Sequence, residues 1–414
     1  MSVIELPMAH GRFLGLRTNT PAIAAVAGSF RTEPAANNGE VLLQRLVTTL
    51  LTCGTRRLDQ FAMTELLDSR GAQFSVDSAM RRVSFSARVC ANDLDLVADL
   101  LAQCLTEPRF DTNDFSTERS RLIAALQFNS DKPSTLANDA LSRVLYSADH
   151  PRYQPAVGDQ IAYLERLTAD DVRHYHHEHF SPDDLYVVVV GDMDPPATAA
   201  TFDRYMRSWV PRRSAPAPSV ATPRSQSAQL VRLTTRGGGH YEVILGKRLT
   251  IQRDHPDYMA LRVANRILGG TFSSRLVAVI REQKGFTYSI RSELAEPDGV
   301  FDGHWQVGLS LSPQWLDAGL DATRAEIERF ANDGVSAPEL ATRQLETVSG
   351  FQVGLSTVGG SSQAILFGAE RGFGAGFIHD FAEKIQDITP AQLNRAIQLN
   401  LHPAGSHTVV VGPA

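Results

Sequence analysis

Short β-branched runs and longer stripes with apolar residues every three to four positions alternate along the chain. "PAIAAVAGSFR" (21–31), "LYVVVV" (185–190) and "YEVILGKRL" (241–249) have the length and content of strands. The first is followed by "VLLQRLVTTLLTCGT" (41–55), where Leu42, Leu43, Leu46, Val47, Leu50 and Leu51 form one helical face. Arg45, Thr48, Thr49 and Thr52 form the opposite, polar stripe at i, i+3, i+4 and i+7. The third run precedes "DHPDYMALRVANRILGG" (254–270), a stripe of Met259, Val263, Ile267 and Leu268 ended by two glycines. A second short helix is expected over roughly 275–284, opened by serine caps and stopped at Gly285, after which "FTYSIRSEL" alternates as a strand. Arg281 is thereby expected near a helix C-terminus, with Tyr288 on the adjoining strand.

The chain also repeats itself. "LTADDVRHYHHEHFSPDDLYVVVVG" (167–191) aligns without a gap to "ITPAQLNRAIQLNLHPAGSHTVVVG" (388–412), pairing Thr168 with Thr389, Pro182 with Pro403 and Gly191 with Gly412, each 221 positions apart. Both read as a threonine-capped helix, a proline turn and a β-branched strand. Between the copies, "WVPRRSAPAPSVATPRSQSAQ" (209–229) loses all hydrophobic period and reads as a semi-extended linker. The organisation expected is a first module over 1–208, a linker over 209–229 and a second module over 230–414, each module a sheet with helices packed against it.

Composition narrows the function. With 43% hydrophobic and 21% charged residues the chain is of the soluble globular class, and its longest apolar runs are too short to span a membrane. No basic leader followed by an apolar run opens the sequence, so a cytoplasmic protein is expected. The formal charge of -6, with acids and bases interspersed, leaves no basic footprint for nucleic acid. Cys53, Cys90 and Cys104 match no zinc knuckle or disulfide framework. The histidines of "RHYHHEHF" (173–180), His174, His176, His177 and His179, surround Glu178 but lack the His-x-x-Glu-His spacing, because Tyr175 stands three residues before it. They read as a solvated helix end. The glycines of "RGGGHYEVILG", Gly237, Gly238 and Gly239, permit close backbone approach, either as a flexible lead-in from the linker or as a loop touching peptide.

"ILGGTFSSRLVAVIREQKGFTYSIRSEL" resembles the second-module signature of the pitrilysin/insulinase-type zinc metallopeptidases, the family of insulin-degrading enzyme and the mitochondrial processing peptidase. The tandem modules, the linker and the His150–Pro151 pair fall in that family's order as well. The resemblance implies an α+β fold: two tandem copies of one α/β module, each a mainly antiparallel sheet covered by helices. It also implies a zinc site in the first module, built from His-x-x-Glu-His on the helix ending at Gly54 and Thr55, with a further acid downstream. The three positions hold Arg45, Thr48 and Thr49, and Ala124 and Ala125 stand where the acids belong. A guanidinium repels a dication, and threonine hydroxyls are poor zinc ligands, so no metal is expected in this chain.

What the resemblance leaves is the Arg/Tyr pair, here Arg281 and Tyr288. In the family two such two-module units close on each other, and the pair reaches a peptide held at the other unit's zinc. Some bacterial members divide the zinc helix and the pair between two chains. The expectation is a zinc-less, substrate-binding subunit of a heterodimeric zinc endopeptidase, inactive alone, with a zinc-bearing His-x-x-Glu-His homologue as partner and a peptide as substrate. The alternative is a non-catalytic structural or peptide-holding protein of the same fold.

Overall fold

A computed structural model describes residues 2–413 apart from 21, 34, 36, 212–226, 236–238, 250, 254, 296 and 298–300. It contains two sheets. The first runs β1(Ile4–Pro7)–β2(Arg12–Arg17)–β6(Tyr186–Gly191)–β3(Ile23–Arg31)–β5(Arg82–Cys90)–β4(Gln73–Ser78). The second runs β7(Leu230–Thr235)–β11(His407–Pro413)–β8(Tyr241–Arg248)–β10(His304–Leu311)–β9(Ile290–Ala295). Among the described strands only β2–β6 and β7–β11 pair in parallel, so each sheet is mainly antiparallel, as expected. Among the described residues the second has no counterpart of edge strand β1.

The 221-residue repeat is architectural. β6 lies between a parallel neighbour and a central antiparallel one, β2 and β3, and β11 lies likewise between β7 and β8. The helices ahead of them, Ala169–His179 and Pro390–Asn400, start at capping residues Thr168 and Thr389, whose side chains accept from the backbone N–H of Asp171 and Gln392. All six residues of β6 are buried, which explains its unbroken valine run: a central strand covered on both faces has no polar side to show.

The chain packs as two compact units, and these cut across the tandem halves. One comprises the described residues of 1–125, 158–218 and 351–381, and the other those of 126–157, 219–350 and 382–414. The helix Val358–Glu370 lies on the first sheet, where Ile365, Leu366 and Ala369 pack against Leu14, Leu16, Ala27, Val188 and Val190. The helix Pro133–Leu145 lies on the second, burying Ala137, Leu141 and Leu145 against Ile244, Val409 and Val411. Each half of the sequence thus lends one helix to the other's sheet. Most of the linker, 212–226, lies outside the described residues, but Trp209 at its start is buried, with its ring centroid 4.9 Å from that of Phe30. Among the described residues no helix is long and apolar enough to cross a membrane.

Candidate functional site

The helix expected to carry metal ligands in an active relative forms here as Asn38–Leu50, capped by the Asn37 side chain, which accepts from the Glu40 N–H at 3.2 Å. Leu42, Leu43, Leu46, Val47, Leu50 and Leu51 are all buried, as their spacing requires. Behind the helix, Thr55 is buried and its hydroxyl lies 2.9 Å from Gln103 Oε1. Gly54 (φ +131°) supplies the left-handed turn before it. The polar stripe differs from expectation at one position. Arg45 and Thr49 are exposed, whereas Thr48 is 2% exposed and belongs to the buried side. Its hydroxyl donates to the Gln44 carbonyl (2.8 Å), and that of Thr49 to the Arg45 carbonyl (3.0 Å). A cation and two hydroxyls bonded back to their own helix do not fit a zinc ion.

The histidine segment does not replace that site. His176 Nε2 lies 2.9 Å from the Leu105 carbonyl, His177 pairs with Glu178 at 2.7 Å, and His179 stacks on Tyr175 and faces Glu33 at 3.4 Å. His174 and His179 line a cleft of about 370 Å3 with Tyr163, Arg166 and Asp171. Among the described residues no three His, Cys, Asp or Glu side chains converge as a metal site. Burial pushes the Cys53 thiol up to about 11 and that of Cys104 to about 12, so neither offers a thiolate near neutral pH.

The second module is where side chains are presented. The helix Tyr258–Asn265 widens into a π-helical stretch, Arg266–Gly270, and after a short loop a second π-helical stretch runs Val277–Gln283. Such wide turns recur at functional sites. Of the expected apolar stripe, Val263, Ile267 and Leu268 are buried while Met259 is only partly so; Leu261 and Ala264 complete the face. Gly269 answers to a close approach: a Cβ there would stand 2.6 Å from the Ser292 nitrogen on β9. Ser292 in turn donates to Asn265 Oδ1 (2.5 Å) and accepts from the buried Trp305 indole (2.7 Å), which ties the helix to β9 and β10.

The next residues are fastened as firmly. Arg275 makes a bidentate bond to Glu339 (2.9 and 2.6 Å) and a third to the Gly334 carbonyl (2.8 Å). Arg343 donates to the Ser273 hydroxyl (2.6 Å) and the Ser273 carbonyl. The helix ends at Gly285 (φ +64°). The strand expected to start at Phe286 begins only at Ile290, and Tyr288 sits in a bend before it. The cause is Thr287, whose buried hydroxyl lies 2.9 Å from the Ser289 carbonyl and 2.5 Å from that of Ser310, and accepts from the Ser289 N–H at 3.1 Å. That local bonding takes up the Ser310 carbonyl, while the Ser310 N–H still donates to the Ser289 carbonyl (3.2 Å), and Tyr288 faces outward, 83% exposed.

Arg281 and Tyr288 are therefore brought together. The Arg281 guanidinium lies 4.5 Å from the Tyr288 ring centroid and 5.5 Å from that of Phe272, which is 81% exposed. Among the described residues no carboxylate lies within ion-pair distance of Arg281, in contrast to Arg275 and Arg343, which are paired. Both rings lie within cation–π range of the cation, and no protein acceptor takes up its N–H donors among the described residues. Of the glycine loop, Gly237 and Gly238 lie outside the described residues; Gly239 is exposed in a bend two residues before β8, with open space where a Cβ would be. Register places that bend and Tyr288 at the same end of the sheet, since Tyr241 pairs with Leu311 and Ile290 with Leu309 on the strand between. Neither Phe272 nor Thr287 was marked by its sequence context; a bulky apolar residue in a serine-rich turn is the only hint of the former.

Known proteins carry the same plan. The peptidase M16 inactive domain pattern matches residues 166–345 and the insulinase (peptidase family M16) pattern residues 20–154. An uncharacterised zinc protease of Streptomyces coelicolor is 26% identical over 409 residues, covering 96% of this chain and 85% of its own length. A non-peptidase homologue of Helicobacter pylori is 22% identical over 307 residues, covering 74% of this chain and 69% of its own length. In fold, a peptidase M16 inactive domain protein of Pseudomonas fluorescens matches with a TM-score of 0.87 at 18% identity, over 100% of this chain and 98% of that one. With two family patterns in order along two like-built sheets, the protein belongs to the pitrilysin/insulinase-type (M16) zinc metallopeptidase family.

Proposed function

We propose that this chain is the zinc-less, substrate-binding subunit of a heterodimeric zinc endopeptidase, and that it supplies Arg281 and Tyr288 to a peptide bound at a partner subunit that carries His-x-x-Glu-His. The observation that carries the reading is the Arg281 guanidinium, unpaired among the described residues and held against an outward-turned Tyr288, beside Arg275 and Arg343, which are paired. The first module's Arg45, Thr48 and Thr49 support it from the other side, since they leave hydrolysis dependent on another chain. The names of the relatives, both zinc protease and non-peptidase homologue, accord with a family in which catalytic and non-catalytic chains coexist.

In this reading Arg281 donates to peptide carbonyls and fixes the backbone. The Tyr288 hydroxyl, an uncharged donor, meets the oxygen that gains negative charge as the carbonyl becomes tetrahedral. The test mixes the purified chain with a zinc-bearing relative from the same organism and follows cleavage of an unstructured fluorogenic peptide. The chain alone should cleave nothing, and mixing should produce activity. Tyr288→Phe should lower that activity about 10²–10³-fold, the range for removing one oxyanion donor. Arg281→Ala should also weaken peptide binding. Unchanged mixed activity in both variants would sink the reading.

A further inference from the structure

We propose that Phe272 is a specificity-determining residue that makes the site favour peptides with a large apolar side chain, aromatic above all, beside the peptide group held by Arg281. The proposal rests on the functional reading above and adds the substrate class to it.

Phe272 is among the most exposed large apolar side chains of the described residues, at 81%. An exposed phenylalanine alone, such as Phe61, needs no explanation; Phe272 differs in sharing the Arg281 cation with a second exposed ring, Tyr288. Slack in the backbone does not account for it. The loop between the two π-helical stretches is fastened at the next residue, Ser273, by both Arg343 donors, and Ser274 is fully buried. The ring stands outside the core because its short loop is held in place.

Its neighbours say what it would meet. The guanidinium of Arg281 lies 5.5 and 4.5 Å from the centroids of the Phe272 and Tyr288 rings. A cation–π contact leaves N–H donors unbonded, and a peptide carbonyl can accept them. An extended peptide so held projects its adjacent side chain toward the flanking rings. The surface offered there is aromatic and apolar, with the positive charge already facing the peptide backbone. A large apolar side chain covers that surface, whereas alanine leaves it wet.

The experiment uses the full chain alone and measures, by fluorescence anisotropy, binding of three labelled unstructured peptides that differ at one central residue: phenylalanine, alanine or glutamate. The wild type should bind the phenylalanine peptide about tenfold or more tightly than its alanine twin, the glutamate peptide ranking below the phenylalanine one. Phe272→Ala should bring the phenylalanine-to-alanine ratio within about twofold, and Phe272→Leu should restore part of it. Phe61→Ala, which removes another exposed ring (78%) on a helix of the first module, should leave the ratio unchanged. Thermal melting of each variant checks that the fold is intact, which an exposed side chain predicts.

The proposal is overturned if the wild type binds none of the peptides, shows no preference, or favours glutamate. It is equally overturned if the preference survives Phe272→Ala or collapses in Phe61→Ala. Assisted cleavage separates the two readings. A phenylalanine preference that stands while Tyr288→Phe leaves mixed activity untouched removes the catalytic role alone; a lost Tyr288→Phe activity with an unchanged ratio in Phe272→Ala removes the specificity alone.

Discussion

The helix Asn38–Leu50 and the stretch Tyr258–Gln283 hold the same place in the two modules, each following the central strand of its sheet, β3 or β8. Their geometry diverges. The first is regular and capped, and its threonine hydroxyls bond back locally, Thr48 to the Gln44 carbonyl and Thr49 to that of Arg45, with Thr52 just past its end bonding Thr49. The second widens twice into π turns, breaks at Gly269 (φ −158°, ψ 15°), and sends its polar side chains to other elements, Asn265 to Ser292 and Arg275 to Glu339. A helix that presents no ligand keeps its place through its buried leucines and the buried amide of Gln44, which donates to the Ala79 carbonyl at 2.8 Å. A segment that must hold a free cation and two exposed rings departs from regular geometry and is tied down from outside.

The largest expected effect tests whether the first helix is as inert as its bonding suggests. Thr48→Glu places a carboxylate at a 2%-exposed position with no basic partner on its stripe but Arg45, itself exposed, and should cost about 3–5 kcal/mol. Thr49→Glu, one residue on but exposed, should stay within about 0.5 kcal/mol. Urea denaturation of both variants makes the measurement. Equal losses would mean that Thr48 is not buried, and would restore it to the polar stripe. The glutamate of His-x-x-Glu-His could then be rebuilt there, which the present burial forbids.

Next in size is the departure from regular helix. Gly269→Ala drives a Cβ to 2.6 Å from the Ser292 backbone and should cost about 1–3 kcal/mol, while Gly270→Ala, with nearest atoms at 3.5 Å, should be close to neutral. Because β9 leads straight back to Tyr288, Gly269→Ala should also lower assisted cleavage. Stability lost without any change in that cleavage would uncouple the helix break from the site. Thr287→Val removes the hydroxyl that shapes the bend and should cost about 0.5–1.5 kcal/mol. Its assisted activity should fall nearer to that of Tyr288→Phe than to wild type; a fully active Thr287→Val would mean that the bend forms without it.

Much of this contrast can be read from residues, and the remainder has identifiable physical causes. Local signals such as a capping threonine, a proline turn and a valine run carry their own instructions, so the repeat ending in β6 and β11 appears directly in sequence. Thr48 is harder, because at 100° per residue it sits on the border of the polar stripe, and only the surrounding packing decides which side it joins. Tyr288 misleads because "FTYSIRSEL" alternates properly; a single hydroxyl, that of Thr287, overrides the strand pattern at its start. Which sheet each of the helices Pro133–Leu145 and Val358–Glu370 covers has no local signature, since both are apolar enough for either. Arg281 with Tyr288 could be proposed from spacing, but not Phe272, whose relation to the cation exists only in space.

The smallest effect at neutral pH concerns the matching ends of the two central ladders, where Arg31 opposes Arg82 in the first module and Arg248 opposes His304 in the second. In the first, both arginines donate to Asp184 at 2.8 Å, a charged solution. In the second, Arg248 pairs with Asp302, while His304 itself has a neutral partner, its Nδ1 meeting the Tyr146 hydroxyl at 2.8 Å. Burial, followed by the charge of Arg152, pushes the His304 pKa down to about 3, against about 6.5 in an unfolded chain. Between those values the unfolded chain takes up a proton that the folded chain refuses, so this contribution is fully present above pH 6.5 and is lost as pH falls toward 3. The limiting slope is about 1.4 kcal/mol per pH unit, and the partial solvent exposure of His304 makes the expected slope smaller. His304→Gln keeps a partner for Tyr146 and removes the titration. Its unfolding free energy should match wild type within about 1 kcal/mol at pH 7.5 and decline less steeply from pH 6 to pH 4. Parallel curves for the two proteins would move the acid sensitivity elsewhere, with Asp184 and its arginines in the first module the place to look.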